Sequence, residues 1–308
     1  MTLPTDISPE AQAYLRGALA PQPRQLTRDA IAERRRLNYG IYAPAGEAVA
    51  ASLGVRREEA EIAGVRVQCV LPSTAPQAGV VLYFFGGGYV EGSPDEDLAI
   101  TARLAAALRR RIYVPYYRLA PEQPAPAALE DALAVYRALL ARLPADSLAV
   151  AGESAGGGLA LSLLIEAGAA RLAMPAALAL LSPWVDLSKT GDSLTLLADV
   201  APFMNYDLTL KAAAESYAGG RDLRSPAVSP LYATLPAAFP PTLITSATRD
   251  AFLSDCARLS TKMRQAGIAA ELRVWEGLWH VFEYYPEIPE GRLSLDEVAA
   301  FIDRHLAG

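Results

Sequence analysis

The sequence predicts an α/β fold, with a mostly parallel sheet covered by helices on both faces. Three observations lead there. Short apolar runs alternate along the chain with stretches long enough to be helices. The runs lack in–out alternation, as strands buried on both faces do; Gly79-Val80-Val81-Leu82-Tyr83-Phe84-Phe85 is one. The 308 residues are 52% hydrophobic and 20% charged, which allows a large core and excludes a disordered or collagen-like chain.

The elements follow in order. Residues 8–38 read as amphipathic helix, with Arg34-Arg35-Arg36 as a solvated face. Val65 to Val70 alternates as a strand, and residues 79–85 form the next. Residues 95–109 read as a helix with Ala and Leu inward, then Arg111 to Pro115 as a short strand. A helix over 125–142 opens near Pro126. Ser147 to Gly152 is a strand that runs into a helix over 156–168. Ala176 to Leu181 is a buried strand, and residues 188–223 lose strand character and read as a helical insertion. Thr242 to Ser246 resumes the strands, followed by a helix over 251–266, a last strand over 271–275 and a closing helix over 294–306. This divides the chain into N-terminal cap helices (1–50), a core in two parts (51–187 and 226–308) and a helical cap insertion (188–225). Both cap pieces are expected over the carboxyl ends of the strands, where open α/β sheets bind ligands.

Charge and composition narrow the function. A net charge of -6 argues against a dedicated nucleic-acid binder. The first residues lack a basic and then apolar signal pattern, and no window reaches about 18 uninterrupted apolar residues, so no membrane span is expected. Cys69 and Cys256 match neither a disulfide framework nor a Cys-based metal site, and read as reduced, buried thiols of a cytoplasmic protein. The chain has two histidines, too few for a His-rich zinc site. No G-x-G-x-x-G sits on an early strand and no Gly-Lys-Ser/Thr follows the triple glycine, so no metal and no cofactor is expected.

The chemistry concentrates at a few positions. Gly152-Glu153-Ser154-Ala155-Gly156 fits G-x-S-x-G at a strand-to-helix junction. Such a turn exposes Ser154 as a nucleophile, and the following helix offers unpaired N–H groups to a developing oxyanion. Phe85-Gly86-Gly87-Gly88-Tyr89 follows a strand, so its backbone can approach a substrate closely. The oxyanion donors are expected to be the N–H groups of Gly87, Gly88 and Ala155. The base must be His280, just past the last strand, or His305 in the closing helix; His280 has the loop position. Asp250, after the strand at 242–246, is the expected acid, with Asp255 its rival as a helix-start or surface charge and Asp186 read as structural. Tyr89, Trp184, Phe203, Tyr206, Leu278 and Trp279 are expected to line an apolar pocket, together with Phe85.

In order, Gly86-Gly87-Gly88-Tyr89-Val90-Glu91-Gly92, Tyr117-Arg118-Leu119-Ala120-Pro121-Glu122, Gly152-Glu153-Ser154-Ala155-Gly156-Gly157 and Ser182-Pro183-Trp184 resemble the hormone-sensitive-lipase-like α/β-hydrolases, the bacterial family IV esterases. The resemblance covers roughly residues 60–305, and Asp250 and His280 stand at the family's acid and base positions. It implies an eight-stranded sheet with a helical cap, and hydrolysis of short- to medium-chain carboxylic esters. It also implies a homodimer paired through a sheet edge. The surroundings look close to bacterial enzymes acting on lactones of monoterpene breakdown, so an ester or a lactone is the expected small-molecule substrate. A lactonase, amidase or carbamate hydrolase with the same triad, and a non-catalytic ligand-binding homologue, are the alternatives. The chain departs from the family at Phe85, where relatives carry His before the triple glycine; Phe85 packs but offers no side-chain hydrogen bond.

Overall fold

A computed structural model describes residues 3–18, 26–27, 30–202 and 204–306. Its eight-stranded sheet has the order β1-β2-β4-β3-β5-β6-β7-β8. The strands are β1 (Arg56–Ile62), β2 (Val65–Leu71), β3 (Val80–Phe84), β4 (Arg111–Pro115), β5 (Leu148–Glu153), β6 (Ala177–Leu181), β7 (Thr242–Arg249) and β8 (Ala270–Trp279). β1 and β2 pair antiparallel, as do β2 and β4; the pairs from β4 and β3 through β8 are parallel. β3, β5 and β6 are buried at every position, which explains their unbroken apolar character.

β1 is missing from the sequence reading. Its Arg56-Arg57-Glu58-Glu59-Ala60-Glu61 run carries no apolar alternation, because the strand lies at the sheet edge and is mostly exposed. Pairing with β2 makes it a strand, through the two-residue turn Ala63-Gly64 with φ of 53° and 79°. A charged edge also disfavours pairing with other chains.

The helices are α1 (Pro9–Ala18), α2 (Ile31–Leu53), α3 (Leu98–Leu108), α4 (Ala127–Leu140), α5 (Ser154–Ala169), α6 (Ser193–Leu196), α7 (Lys211–Ala218), α8 (Leu253–Gln265) and α9 (Pro289–His305). Among its described residues the stretch 8–38 therefore holds one helix and part of a second, which continues past Pro44 and stops at Gly54 in the left-handed conformation (φ 64°). The expected solvated face at Arg34-Arg35-Arg36 is corrected: only Arg36 is exposed, while Arg34 pairs with Glu91 and Arg35 bonds to backbone carbonyls. Helical period alone could not show this, because the partners lie more than fifty residues away.

α5 is apolar on nearly every side and sits within the core, as a helix without a polar face must. A second apolar cluster joins Ile7, Ala11 and Leu15 to Leu278, Trp279 and Phe282, tying α1 to the end of β8. Residues 188–225 hold α6, a π-helical turn at Tyr206–Leu210 and α7. Beneath them, buried Asp186 accepts from Arg258 and Tyr232, each at 2.7 Å.

Candidate active site

Three side chains meet at the carboxyl ends of the strands. Ser154 follows β5, Asp250 follows β7 and His280 follows β8. Ser154 has φ of 51°, unusual for a non-glycine residue and the mark of a sharp strand-to-helix turn. The flanking glycines leave room for that turn: a Cβ at Gly156 would stand 2.1 Å from the Phe84 carbonyl oxygen, and one at Gly152 2.5 Å from the Gly156 oxygen.

Ser154 Oγ lies 3.0 Å from His280 Nε2, and His280 Nδ1 lies 3.0 Å from Asp250 Oδ1. The carboxylate accepts from Nδ1–H, which leaves Nε2 free to accept from the serine hydroxyl. Asp250 is fully buried and held on all sides: Ser246 Oγ donates to Oδ2 at 3.0 Å, and the Phe252 N–H to Oδ1 at 2.9 Å. Burial pushes its carboxyl up, but the His280 charge and hydrogen bonds outweigh that and hold it below the usual carboxylate range. Phe252 meets the imidazole edge-on, with ring centres 4.9 Å apart.

The rivals stand elsewhere. His305 Nδ1 is 2.9 Å from the Phe301 carbonyl at the end of α9. Asp255 is not a surface charge: it is 1% exposed and accepts the N–H groups of Val185 and Asp186.

The glycine loop passes beside Ser154, and Gly86, Gly87 and Gly88 line a common cavity with Ser154 and His280. Gly87 has φ of 98°, and a Cβ there would stand 2.2 Å from the Glu91 carbonyl oxygen. The turn is closed by Val90 and Glu91 N–H groups donating to the Gly87 carbonyl. Ala155 is buried in the first turn of α5, where N–H groups lack helical partners.

The cavity holds about 210 Å³. Trp184 lines it, and the Trp184 N–H donates to the Ser154 carbonyl at 2.8 Å. The other expected pocket side chains are corrected or undescribed. Phe85 stacks on Tyr117 at 4.2 Å, Tyr89 on Tyr217 at 3.8 Å and Trp279 on Tyr14 at 4.2 Å, while Leu278 sits in the α1 cluster. Tyr206 turns away to donate to the Leu187 carbonyl. These rings find partners in the core, which removes them from the wall. Phe203 lies outside the described residues.

The wall comes instead from distant segments. Leu26, Met204, Leu210 and Ala213 form an apolar side; Asn38 and Tyr42 of α2 join Glu91, Glu96, Asp97 and Glu153 on a polar one. Glu91 and Glu153 lie inside the motifs quoted above without being read as wall, and no local motif marks the others, so the sequence reading missed them. The Glu153 carboxyl lies against Gly86, where an added Cβ would meet its Oε1 at 2.0 Å. Tyr83 donates to Asp97 at 3.0 Å.

Burial, with neighbouring carboxyls, pushes Glu153 and Asp97 well above the carboxylate range and Glu96 up to about 7. A raised carboxyl binds its proton more tightly in the folded chain. Its stability contribution is then full below the unfolded value near 4.5 and fades as the pH rises through about 7. Thermal melts should therefore show Tm falling between about pH 5 and 8, and D97N should flatten that slope. An unchanged slope in D97N would remove Asp97 from this account.

Residues 81–284 match the model of a family described as alpha/beta hydrolase fold. An acetyl-hydrolase of Streptomyces hygroscopicus is 35% identical over 230 residues, 72% of this chain and 74% of its own length. A crystal structure of an esterase superposes with a TM-score of 0.90 at 31% identity, covering 100% of this chain and 97% of the other. A second, of an esterase from the bacterial hormone-sensitive lipase family, gives 0.87 at 33% identity, covering 97% and 99%.

Proposed function

The chain belongs to the alpha/beta hydrolase fold family, and on that premise we propose that it is a serine carboxylic-ester hydrolase working through an acyl-enzyme. The observation that carries this is the continuous run from Ser154 through His280 to Asp250, with both contacts at 3.0 Å. Ser154 Oγ attacks the ester carbonyl while its proton passes to His280 Nε2. Asp250 steadies the imidazolium that forms. The N–H groups of Gly87, Gly88 and Ala155 receive the negative oxygen of the tetrahedral intermediate. His280 then returns the proton to the departing alcohol oxygen, and the carbonyl reforms on Ser154. A water, deprotonated by His280, attacks the acyl-enzyme and releases the acid.

The compact cavity favours short to medium acyl chains. A cyclic ester suits the same steps, its alcohol remaining tethered to the acyl group. Residues 1–50 and 188–225 act as the cap, since α2 and residues 204–213 supply much of the wall. The outer edge of β8 supports pairing of two chains, and the two buried free thiols suit a reducing compartment such as the cytoplasm.

The test is mass spectrometry of the intact protein after an organophosphonate. One adduct at Ser154 is expected; a protein left unmodified while it still hydrolyses esters would sink the serine mechanism. Rates on matched ester, lactone and amide panels then rank the substrates, with esters and lactones expected above amides. Inertness across the panel with tight ligand binding would support the non-catalytic alternative.

A further inference from the structure

We propose that Arg35 of α2 is a positioning residue for the glycine loop, bracing it from the cap side. The proposal rests on the oxyanion role assigned to Gly87 and Gly88 above. Arg35 Nε donates to the Val90 carbonyl at 2.6 Å, and Nη2 donates to the Ala120 carbonyl at 2.7 Å. The same guanidinium meets Glu122 with two further bonds of 2.9 Å. Both carbonyls belong to the loop's own framework. Val90 closes the turn onto the Gly87 carbonyl, and the Ala120 N–H donates to the Tyr89 carbonyl at 2.9 Å. One planar fork thus ties the residue after Tyr89 to Ala120, whose N–H holds the Tyr89 carbonyl.

Arg34 and Asn38, one turn of α2 apart, hold the next residue, Glu91, at 2.8 and 3.2 Å. Three side chains of α2 thus hold the loop, and of these three it is Arg35 that bonds to its backbone. The carbonyl bonds are charge-assisted and partly buried, so they outweigh the exposed Glu122 pair.

Phe85 makes such a brace necessary. From inside, the loop start is held by packing: the Phe85 ring stacks on Tyr117, and the Tyr117 hydroxyl donates to the Phe85 carbonyl at 2.8 Å. The Phe85 side chain supplies no hydrogen bond of its own. Setting two backbone N–H groups for an oxyanion requires accuracy well under 1 Å, and an error of that size costs about 100-fold. A lysine cannot substitute, because one ammonium does not span two carbonyls and a carboxylate in a fixed plane.

The experiment compares wild type, R35A and R35K on a chromogenic short-chain ester, with binding of a trifluoromethyl ketone as transition-state mimic. R35A is expected to lose about 10- to 100-fold in kcat with KM nearly unchanged, and to bind the ketone weaker by a similar factor. R35K should recover less than half of that loss on a logarithmic scale. Millimolar guanidinium should partly restore R35A, which a general loss of fold would not allow. R35A and R35K keeping wild-type kcat and ketone affinity would overturn the proposal. So would a loss seen equally in KM, with no rescue. Wild type that fails to label at Ser154 overturns the serine reading first; wild type that labels while R35A stays fully active overturns only the role of Arg35.

Discussion

Ser154→Ala should abolish turnover, lowering kcat by on the order of 10⁴- to 10⁶-fold while the fold and Tm stay close to wild type. The size follows from the arrangement. Ser154 Oγ is the group to which His280 Nε2 is bonded, and His280 is in turn bonded to Asp250. On the proposed mechanism the other two would then have nothing to activate, so the three would act as a unit. The residual rate would come from the N–H donors of the loop and from substrate binding, which together are worth about 10³- to 10⁴-fold over water. The fold should tolerate the change, because the left-handed turn at Ser154 is shaped by Gly152 and Gly156. Stopped-flow or endpoint assays with a chromogenic ester, beside a melting curve, measure both. A variant that retains more than about a hundredth of wild-type kcat would remove Ser154 from the chemistry.

Asp250→Asn should cost about 10⁴-fold in kcat, or about 5 kcal/mol of transition-state stabilisation. An amide donates where the carboxylate accepts. The imidazole would then present Nδ1 as an acceptor and carry its proton on Nε2, facing the serine, which is the wrong tautomer for a base. The carboxylate charge that steadies the imidazolium would also be gone. Asp255→Asn is the contrast. That carboxyl is as deeply buried, but it serves the backbone N–H groups of Val185 and Asp186, and burial together with nearby Asp186 pushes it well above the carboxylate range. Burial already disfavours the charged form there, so a neutral amide should change kcat by less than about threefold. The pair of variants separates two aspartates five residues apart. Equal losses in both would mean that each acts through the fold and not through His280.

Acidic side chains line the cavity beside Ser154, whose proposed role needs a deprotonated partner. Burial disfavours the charged form of Glu153 and Asp97, whereas His280 is hydrogen-bonded to Asp250, whose carboxyl is held below the usual range. The general rule is that a carboxyl is identified by its partner and its solvation, and not by its closeness to the nucleophile.

By itself the sequence determined the alternating elements other than the edge strand β1, and singled out Ser154, Asp250 and His280, in that order, as candidates. Each of these is a local signal: apolar period, glycines around a tight turn, and a polar residue directly after a strand. The two histidines reduced the choice of base to one well-placed candidate. Only the tertiary structure decided which residues enclose the cavity, that the charged stretch at 56–62 is an edge strand, and that Arg35 grips a loop 55 residues on. It also turned Phe85 and Trp279 from pocket wall into stacked core. The reason is physical. Backbone period and turn chemistry act over a few neighbouring residues, whereas a ring or a guanidinium takes the partner that folding brings to it, and that partner leaves no mark beside it in the chain.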